Sequence, residues 1–127
     1  MTNTILAPIS LGELIDKITI LEIKNENIRG EGLINVKKEL LSLRETLDKT
    51  QITIDPSITA ELKDINQALW CIEDEIRDHE KRKDFGESFI DLARSVYKQN
   101  DQRAAIKRLI NTRYNSGFIE EKSYQDY

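Results

Sequence analysis

Side chains that could bind an anion are concentrated between residues 94 and 107. Arg103 and Lys107 are four residues apart, so they lie on one face of a helix. The pair Asn100-Asp101 favours a break between two helices, with Asp101 as the cap of the second. A helix N-terminus flanked by arginine can hold a phosphate or a carboxylate. The sequence therefore predicts a candidate anion site formed by Arg94, Asn100, Asp101, Arg103 and Lys107.

A second interpretation gives the same cations a structural role. The stretch 55–80 holds eight acidic residues and two basic ones. Charged side chains on helix surfaces usually pair or serve solubility. Salt bridges from Arg103 and Lys107 to this acidic stretch are therefore the alternative to an anion site.

The carboxylates of the acidic stretch could themselves do chemistry. Glu61-x-x-Asp64 and Glu75-x-x-Asp78 repeat fourteen residues apart, close to four helical turns. Carboxylates on facing helices can hold Mg²⁺. The spacing is similar to that of all-helical nucleotide pyrophosphohydrolases, whose E-x-x-E pair on a neighbouring helix is missing here. A solvated acidic face is the other interpretation, and magnesium is the only cofactor that the sequence suggests.

These residues together give one functional hypothesis, a small all-α enzyme. Arg94, Arg103 and Lys107 would bind a phosphorylated or carboxylated metabolite. Glu73 or Asp74 would supply acid–base or magnesium chemistry.

The elements that must position these groups are helices. Apolar residues at steps of four and three predict a long helix over 57–83, namely Ile58, Leu62, Ile65, Leu69, Ile72 and Ile76. Further helices are predicted at 10–29, 33–49, 85–100 and 101–114, with Asp84 as the cap of the fourth. We therefore expect one all-α domain over 1–127, a bundle of about five helices built around the long one. An extended arm over 1–9 and a partly mobile tail over 118–127 complete it.

Trp70 lies beside the apolar stripe of the long helix rather than on it. It is either part of the core or an interface residue, since tryptophan is often an anchor of protein interfaces. The arm either lies across the bundle or pairs with a second copy. The other functional hypothesis is therefore a binding or assembly module, a homodimer that forms through the long helix and Trp70.

Composition bounds the class of protein. The net charge is −4, whereas the segment 94–119 has six basic residues and one acidic residue. This imbalance favours a small anionic ligand or a protein partner, and the acidic total argues against nucleic acid. No apolar run is long enough to span a membrane, and the N-terminus lacks the pattern of a signal peptide. With one cysteine and one histidine, a cytoplasmic location is the default expectation.

Several segments resemble a known family. They are Leu14–Lys24, Leu69–Arg77, Phe89–Tyr97, Asn100–Arg108 and Glu120–Tyr124. Together they resemble a family of short bacterial and bacteriophage proteins of unknown function, sometimes met beside cell-surface polysaccharide genes. The resemblance covers most of the chain and implies no activity. It nominates one set of polar positions as a cluster: Asp16, Lys17, Glu22, Lys24, Glu73, Arg77, Arg94, Asn100, Asp101, Arg103 and Lys107.

A second resemblance concerns the first helix alone. The stretch 14–21 is similar to the opening helix of the all-helical chorismate mutases, small dimeric enzymes that grip a dicarboxylate with arginine and lysine. The matching N-terminal arginine is missing here.

Overall fold

The structure is a computed structural model that describes residues 2–127, so Met1 of the predicted arm lies outside it. It contains four helices: α1 (Leu11–Asn27), α2 (Glu31–Thr50), α3 (Pro56–Arg82) and α4 (Glu87–Arg113). The described residues form no strand. The all-α prediction is confirmed, while the prediction of about five helices is wrong.

The expected break at Asn100-Asp101 is absent, because α4 continues through it as one helix of 27 residues. Asn and Asp inside a helix cost at most about 0.7 kcal/mol each relative to Ala. Ile106 and Ile110, beyond the predicted break, pack in or against the core, and this apolar contact outweighs the local preference. The predicted long helix, α3, therefore has a partner of the same length.

Side-chain caps fix the starts of two helices. The Ser10 hydroxyl accepts a hydrogen bond from the Glu13 amide, and the Asp55 carboxylate accepts one from the Ser57 amide. The predicted cap at Asp84 is wrong, because α4 begins after Gly86 without a side-chain cap.

The centre of the bundle is α1, which contacts all three other helices. Nine of its 17 residues are buried. One apolar cluster joins it to α2, formed by Leu14, Ile18, Leu21, Val36 and Leu40. The other joins it to α3 and α4, formed by Leu11, Ile15, Ile54, Ile58, Leu62 and Ile110. The expectation that α3 is central is therefore wrong, since the buried residues of α3 all lie between Ile58 and Asn66, in the first half of the helix.

The helices α3 and α4 form an antiparallel hairpin. At its root, the Asp55 amide donates a hydrogen bond to the Tyr114 hydroxyl at 2.8 Å. Near its tip, the rings of His79 and Phe89 are 6.5 Å apart. From residue 67 to residue 106 no side chain is fully buried. We call residues 69–96, which form the outer part of this pair, the distal hairpin.

Both chain ends run outside the helices. Residues 2–9 are extended and exposed, and the side chains of Ile5 and Leu6 are each 91% exposed. The arm therefore does not lie across the bundle of its own chain. Beyond α4 the chain turns at Asn115, which has a positive φ of 54°. Residues 118–127 then run back along α4, toward Tyr97. Among residues 2–127, no helix is long and apolar enough to cross a lipid bilayer.

Candidate functional site

Asp16 is the centre of a polar cluster between α1, α3 and α4, and it is 1% exposed. Its carboxylate accepts hydrogen bonds from both Nε and Nη2 of Arg103, with Nε at 2.9 Å. The same carboxylate accepts a third bond from Nδ2 of Asn66, also at 2.9 Å. Asn66 donates further to the Thr19 hydroxyl at 3.0 Å. Three helices therefore meet at one carboxylate, which accepts three hydrogen bonds.

Lys107 is the second buried ion of this cluster, with a side chain 8% exposed. Its Nζ lies 2.7 Å from a carboxylate oxygen of Glu13 and 2.9 Å from one of Glu120. Asp16 is also near, at 3.9 Å. The ammonium thus joins α4 to α1 and to the tail.

A close approach of α1 and α4 holds the two ions in place. The Gly12 amide donates a hydrogen bond to Oδ1 of Asn111 at 2.6 Å. A Cβ on Gly12 would lie 2.5 Å from the carbonyl oxygen of Lys107. The Leu11 amide donates to the Ser116 hydroxyl at 3.0 Å. Only glycine at position 12 allows the backbones to approach this closely.

The electrostatics of the cluster favour the charged forms. Burial raises the pKa of Asp16, but hydrogen bonds from Arg103 and Asn66 and the charges of Arg103 and Lys107 outweigh it, so the pKa lies below its ordinary value. Burial lowers the pKa of Lys107, but its bonds to Glu13 and Glu120 outweigh that effect and raise the pKa. The hydrogen bond from Lys107 likewise lowers the pKa of Glu120. The ions stabilise each other.

The structure brings together three of the five residues predicted as an anion site. Arg103 and Lys107 lie on one face of α4, and Nη1 of Arg103 lies 3.5 Å from Oδ1 of Asn100. Their ionic partners are carboxylates of α1 and the tail, not of the acidic α3 as the structural interpretation expects. Because α4 is continuous here, there is no helix N-terminus at Asp101 to bind an anion.

The remaining predicted residues lie apart. Arg94 is exposed and forms no ion pair with the described residues. Asp101 accepts a hydrogen bond from the Tyr127 hydroxyl. Glu73 pairs with Arg77 of its own helix at 2.6 Å, and Asp74 is exposed. No hydrogen bond or ion pair joins Glu73 or Asp74 to Arg103 within residues 2–127.

The carboxylates predicted as magnesium ligands are exposed on α3: Glu61, Asp64, Glu75 and Asp78. Asp78 pairs with Arg82 at 3.1 Å. Across the described part of the chain, no three Asp, Glu, His or Cys side chains converge as a metal site requires. A magnesium-dependent reaction stays a prediction to which this geometry adds nothing.

A half-open cavity of about 1090 Å³ lies between the exposed tail and the middle of α4. The α4 side of the cavity includes Tyr97 and Asp101, and the other side is formed by residues 122–127. Sequence reasoning missed Glu120 and Tyr127 as functional positions. The one signal for Glu120 was the segment Glu120–Tyr124, which carries part of the family resemblance, and that segment does not include Tyr127.

Trp70 is half-buried, so its exposure alone does not distinguish a core residue from an interface residue. It lies on α3 in the distal hairpin, four residues beyond Asn66 and outside the buried part of the helix.

Comparison with curated proteins and with solved structures finds no match. The model of DUF6165, a family of unknown function, matches residues 5–127. That range includes all four helices, the polar cluster and the tail. The chain therefore belongs to DUF6165, which confirms the resemblance of its sequence segments to a family of unknown function.

Proposed function

We propose that this protein is a helical assembly module that forms a homodimer through the distal hairpin. One observation carries the proposal: a stretch of 40 residues, 67–106, has no fully buried side chain although it carries an apolar stripe. Most helical stability in proteins comes from burial of such a stripe. A hairpin that leaves its stripe half-covered is therefore incomplete by itself.

Both helices of the distal hairpin contribute apolar residues. The half-buried ones are Leu69, Trp70, Ile72, Ile76, Phe89, Leu92 and Val96. Phe85 and Ile90 are more exposed, at 49% and 53%. Two helices cover only one side of each other, whereas four helices enclose a core. A second distal hairpin would complete such a bundle, with Trp70 as the bulky residue that an interface centre usually contains.

Unpaired charges favour a second copy as the occupant. On α4, Arg94 and Lys98 form no ion pair with the described residues, and on α3 the same holds for Asp74, Glu75 and Glu80. In a two-fold symmetric dimer each surface can face its complement on the partner, and every such contact occurs twice. The chain thus carries both halves of a complementary charge pattern.

The test measures mass and tryptophan emission over a range of protein concentrations. Light scattering after size-exclusion chromatography should give about 29 kDa, twice the mass of one 14.7 kDa chain. Trp70 is the only tryptophan, so its emission should shift to the red as dilution separates the copies. A mass of one chain at tens of micromolar would overturn the proposal.

Matched variants locate the interface. Ile90→Asp places a charge on the exposed apolar surface of the distal hairpin and should give a monomer with a native circular dichroism spectrum. Ile34→Asp makes the same change on α2, where Ile34 is 67% exposed, and should leave the dimer intact. Equal loss of the dimer in both variants would place the interface elsewhere.

The enzyme alternative has less support. Its anion grip uses Arg103 and Lys107, whose charges are already balanced by Asp16, Glu13 and Glu120. Its acid–base candidate Glu73 is held by Arg77 on the distal hairpin. No cavity of the described residues joins these groups.

A further inference from the structure

Contacts at both ends of the tail hold it against α4 above the cavity. At one end Glu120 bonds to Lys107, and Glu121 lies 3.2 Å from Nη1 of Arg108. At the other end the ring of Tyr127 meets that of Tyr97 edge to face, with centroids 5.0 Å apart. The intervening residues therefore arch over α4 rather than hang free, and about 1090 Å³ remains between them.

The chemistry of the walls is aromatic and acidic. Tyr97, Tyr124 and Tyr127 line the cavity together with Asp101 and Asp126. The Tyr127 hydroxyl donates a hydrogen bond to Asp101, which orients that carboxylate. Aromatic faces and carboxylates both attract cations, and aromatic side chains surround quaternary ammonium groups in many binding sites.

Among the residues that line the cavity, two carboxylates and one basic side chain carry charge. Lys122 is the only basic residue that lines the cavity, and its Nζ lies 3.8 Å from Glu120. Arg103 and Lys107 lie further along α4. They are paired with Asp16, Glu13 and Glu120. The cavity therefore presents negative charge, although the surrounding segment is basic by composition.

We propose that the cavity beneath the tail binds an organic cation, a substituted ammonium group on a small molecule. The rings of Tyr97, Tyr124 and Tyr127 would contact the alkylated nitrogen from the walls of the cavity, while Asp101 and Asp126 would balance its charge. The volume is ample for such a ligand, since pockets for small molecules span roughly 300–1,000 Å³. The ligand is thus of opposite charge to the anion that the sequence predicts for the same stretch of α4.

Three probes of known charge test the inference: choline, its uncharged isostere 3,3-dimethylbutan-1-ol, and inorganic phosphate. Nuclear magnetic resonance titration of the whole protein should show choline binding, with shifts at Tyr97, Asp101 and residues 122–127. The uncharged isostere should bind at least tenfold more weakly. Equal binding of choline and its isostere, or binding of phosphate alone, would overturn the proposal, and so would silence from all three probes.

Variants separate the cavity from the rest of the tail. Tyr124→Leu should weaken choline binding by roughly 2- to 30-fold, the range of one cation–aromatic contact. Asp101→Asn should also weaken it, because it removes a charge. Phe118→Leu changes an aromatic residue of the tail that does not line the cavity and should leave affinity unchanged. Equal affinity in all three variants would overturn the site.

All residues that line the cavity belong to one chain, and Val96 is the one that the cavity shares with the distal hairpin. A monomeric Ile90→Asp variant should bind choline as the unchanged protein does. Loss of binding in that variant, with the native fold retained, would overturn the assignment of the cavity to a single chain.

Discussion

Asp16 shows how a buried charge can be tolerated without being reactive. A carboxylate removed from water costs several kcal/mol unless it is paired and hydrogen-bonded. Here Arg103 and Asn66 together donate three hydrogen bonds to it, and Lys107 adds a second positive charge at 3.9 Å. A carboxylate that accepts three hydrogen bonds and faces two cations is poorly suited to accept a proton. We therefore regard Asp16 as the structural link between three helices.

The first prediction concerns Asp16→Asn. The substitution keeps the shape but removes the charge that balances Arg103 and Lys107. We expect the free energy of unfolding at pH 7 to fall by about 3 kcal/mol, because a buried ion pair is broken from one side. Urea denaturation measures this value. Asp74→Asn, on an exposed and unpaired carboxylate, is the matched control and should change it by less than about 0.5 kcal/mol.

The dependence of stability on pH tests the same role of Asp16. The pKa of Asp16 and that of Glu120 are lower in the folded protein than their ordinary values. At a pH between the folded and the unfolded pKa of such a carboxyl group, the unfolded chain binds more protons than the folded protein does. The free energy of unfolding therefore falls as the pH drops below about 4. Asp16→Asn should flatten this acid limb, and Asp74→Asn should leave it unchanged. Equal slopes for all three proteins would contradict the role of Asp16.

The residue scale also shows what the sequence could predict. Spacing placed Arg103 and Lys107 on one face, which the structure bears out. Their partners Asp16 and Glu13 are 87 and 94 positions away, and no local pattern links residues at such separations. Asp16 was nominated only through the family resemblance, and its burial depends on how three helices meet.

At the scale of elements, the course of α4 illustrates competition between local and tertiary preferences. Asn100-Asp101 is a reasonable cap by composition, and that prediction failed because apolar residues on both sides keep contact with one continuous partner, α3. The helix starts at Ser10 and Asp55 depend on a local hydrogen bond from a backbone amide to the cap side chain. Periodicity thus predicted which segments are helical, while continuity across a weak break depended on packing.

The second prediction tests the contact between α1 and α4. Gly12→Ala should stabilise an isolated helix by about 1 kcal/mol, since Gly is the poorer helix former. In this protein the new Cβ would lie 2.5 Å from a backbone oxygen of Lys107, so the two helices must move apart. We expect a net loss of about 1–3 kcal/mol in the free energy of unfolding, the usual cost of overpacking.

A control for Gly12→Ala is available in the same chain. A Cβ on Gly117 would meet nothing within 4 Å, so Gly117→Ala should be nearly neutral in urea denaturation. A stabilising Gly12→Ala would mean that the close approach of α1 and α4 at Lys107 is not required.

At the scale of the whole molecule, covered and uncovered surfaces are sharply separated. The fully buried side chains lie where α1 contacts α2 and the root of the α3–α4 hairpin. The distal hairpin and the arm over 2–9 carry apolar residues that this chain does not cover. The proposed homodimer would cover the distal hairpin, and its geometry suggests a role for the arm.

The arm cannot reach the tip of its own hairpin. It begins beside Asn111, because the Gly12 amide bonds to that side chain. Along α4, Asn111 and Ile90 are about 31 Å apart, at about 1.5 Å per residue. The five residues from Ser10 back to Ile5 span at most about 18 Å even when fully extended. Contact between Ile5 and the tip of the distal hairpin near Ile90 therefore requires the partner of a dimer.

The last prediction is that the arm of one copy packs on the distal hairpin of the other. Replacing both Ile5 and Leu6 with Asp should raise the dissociation constant of the dimer by tenfold or more, because burial of each such side chain contributes roughly 1.5–3 kcal/mol. Analytical ultracentrifugation measures the constant, and Thr4→Asp in the same arm is the control for added charge. An unchanged dimer would mean that the arm stays free while the hairpins alone associate. A dimer lost in Ile90→Asp but retained in the arm variant would therefore assign the interface to the distal hairpin only.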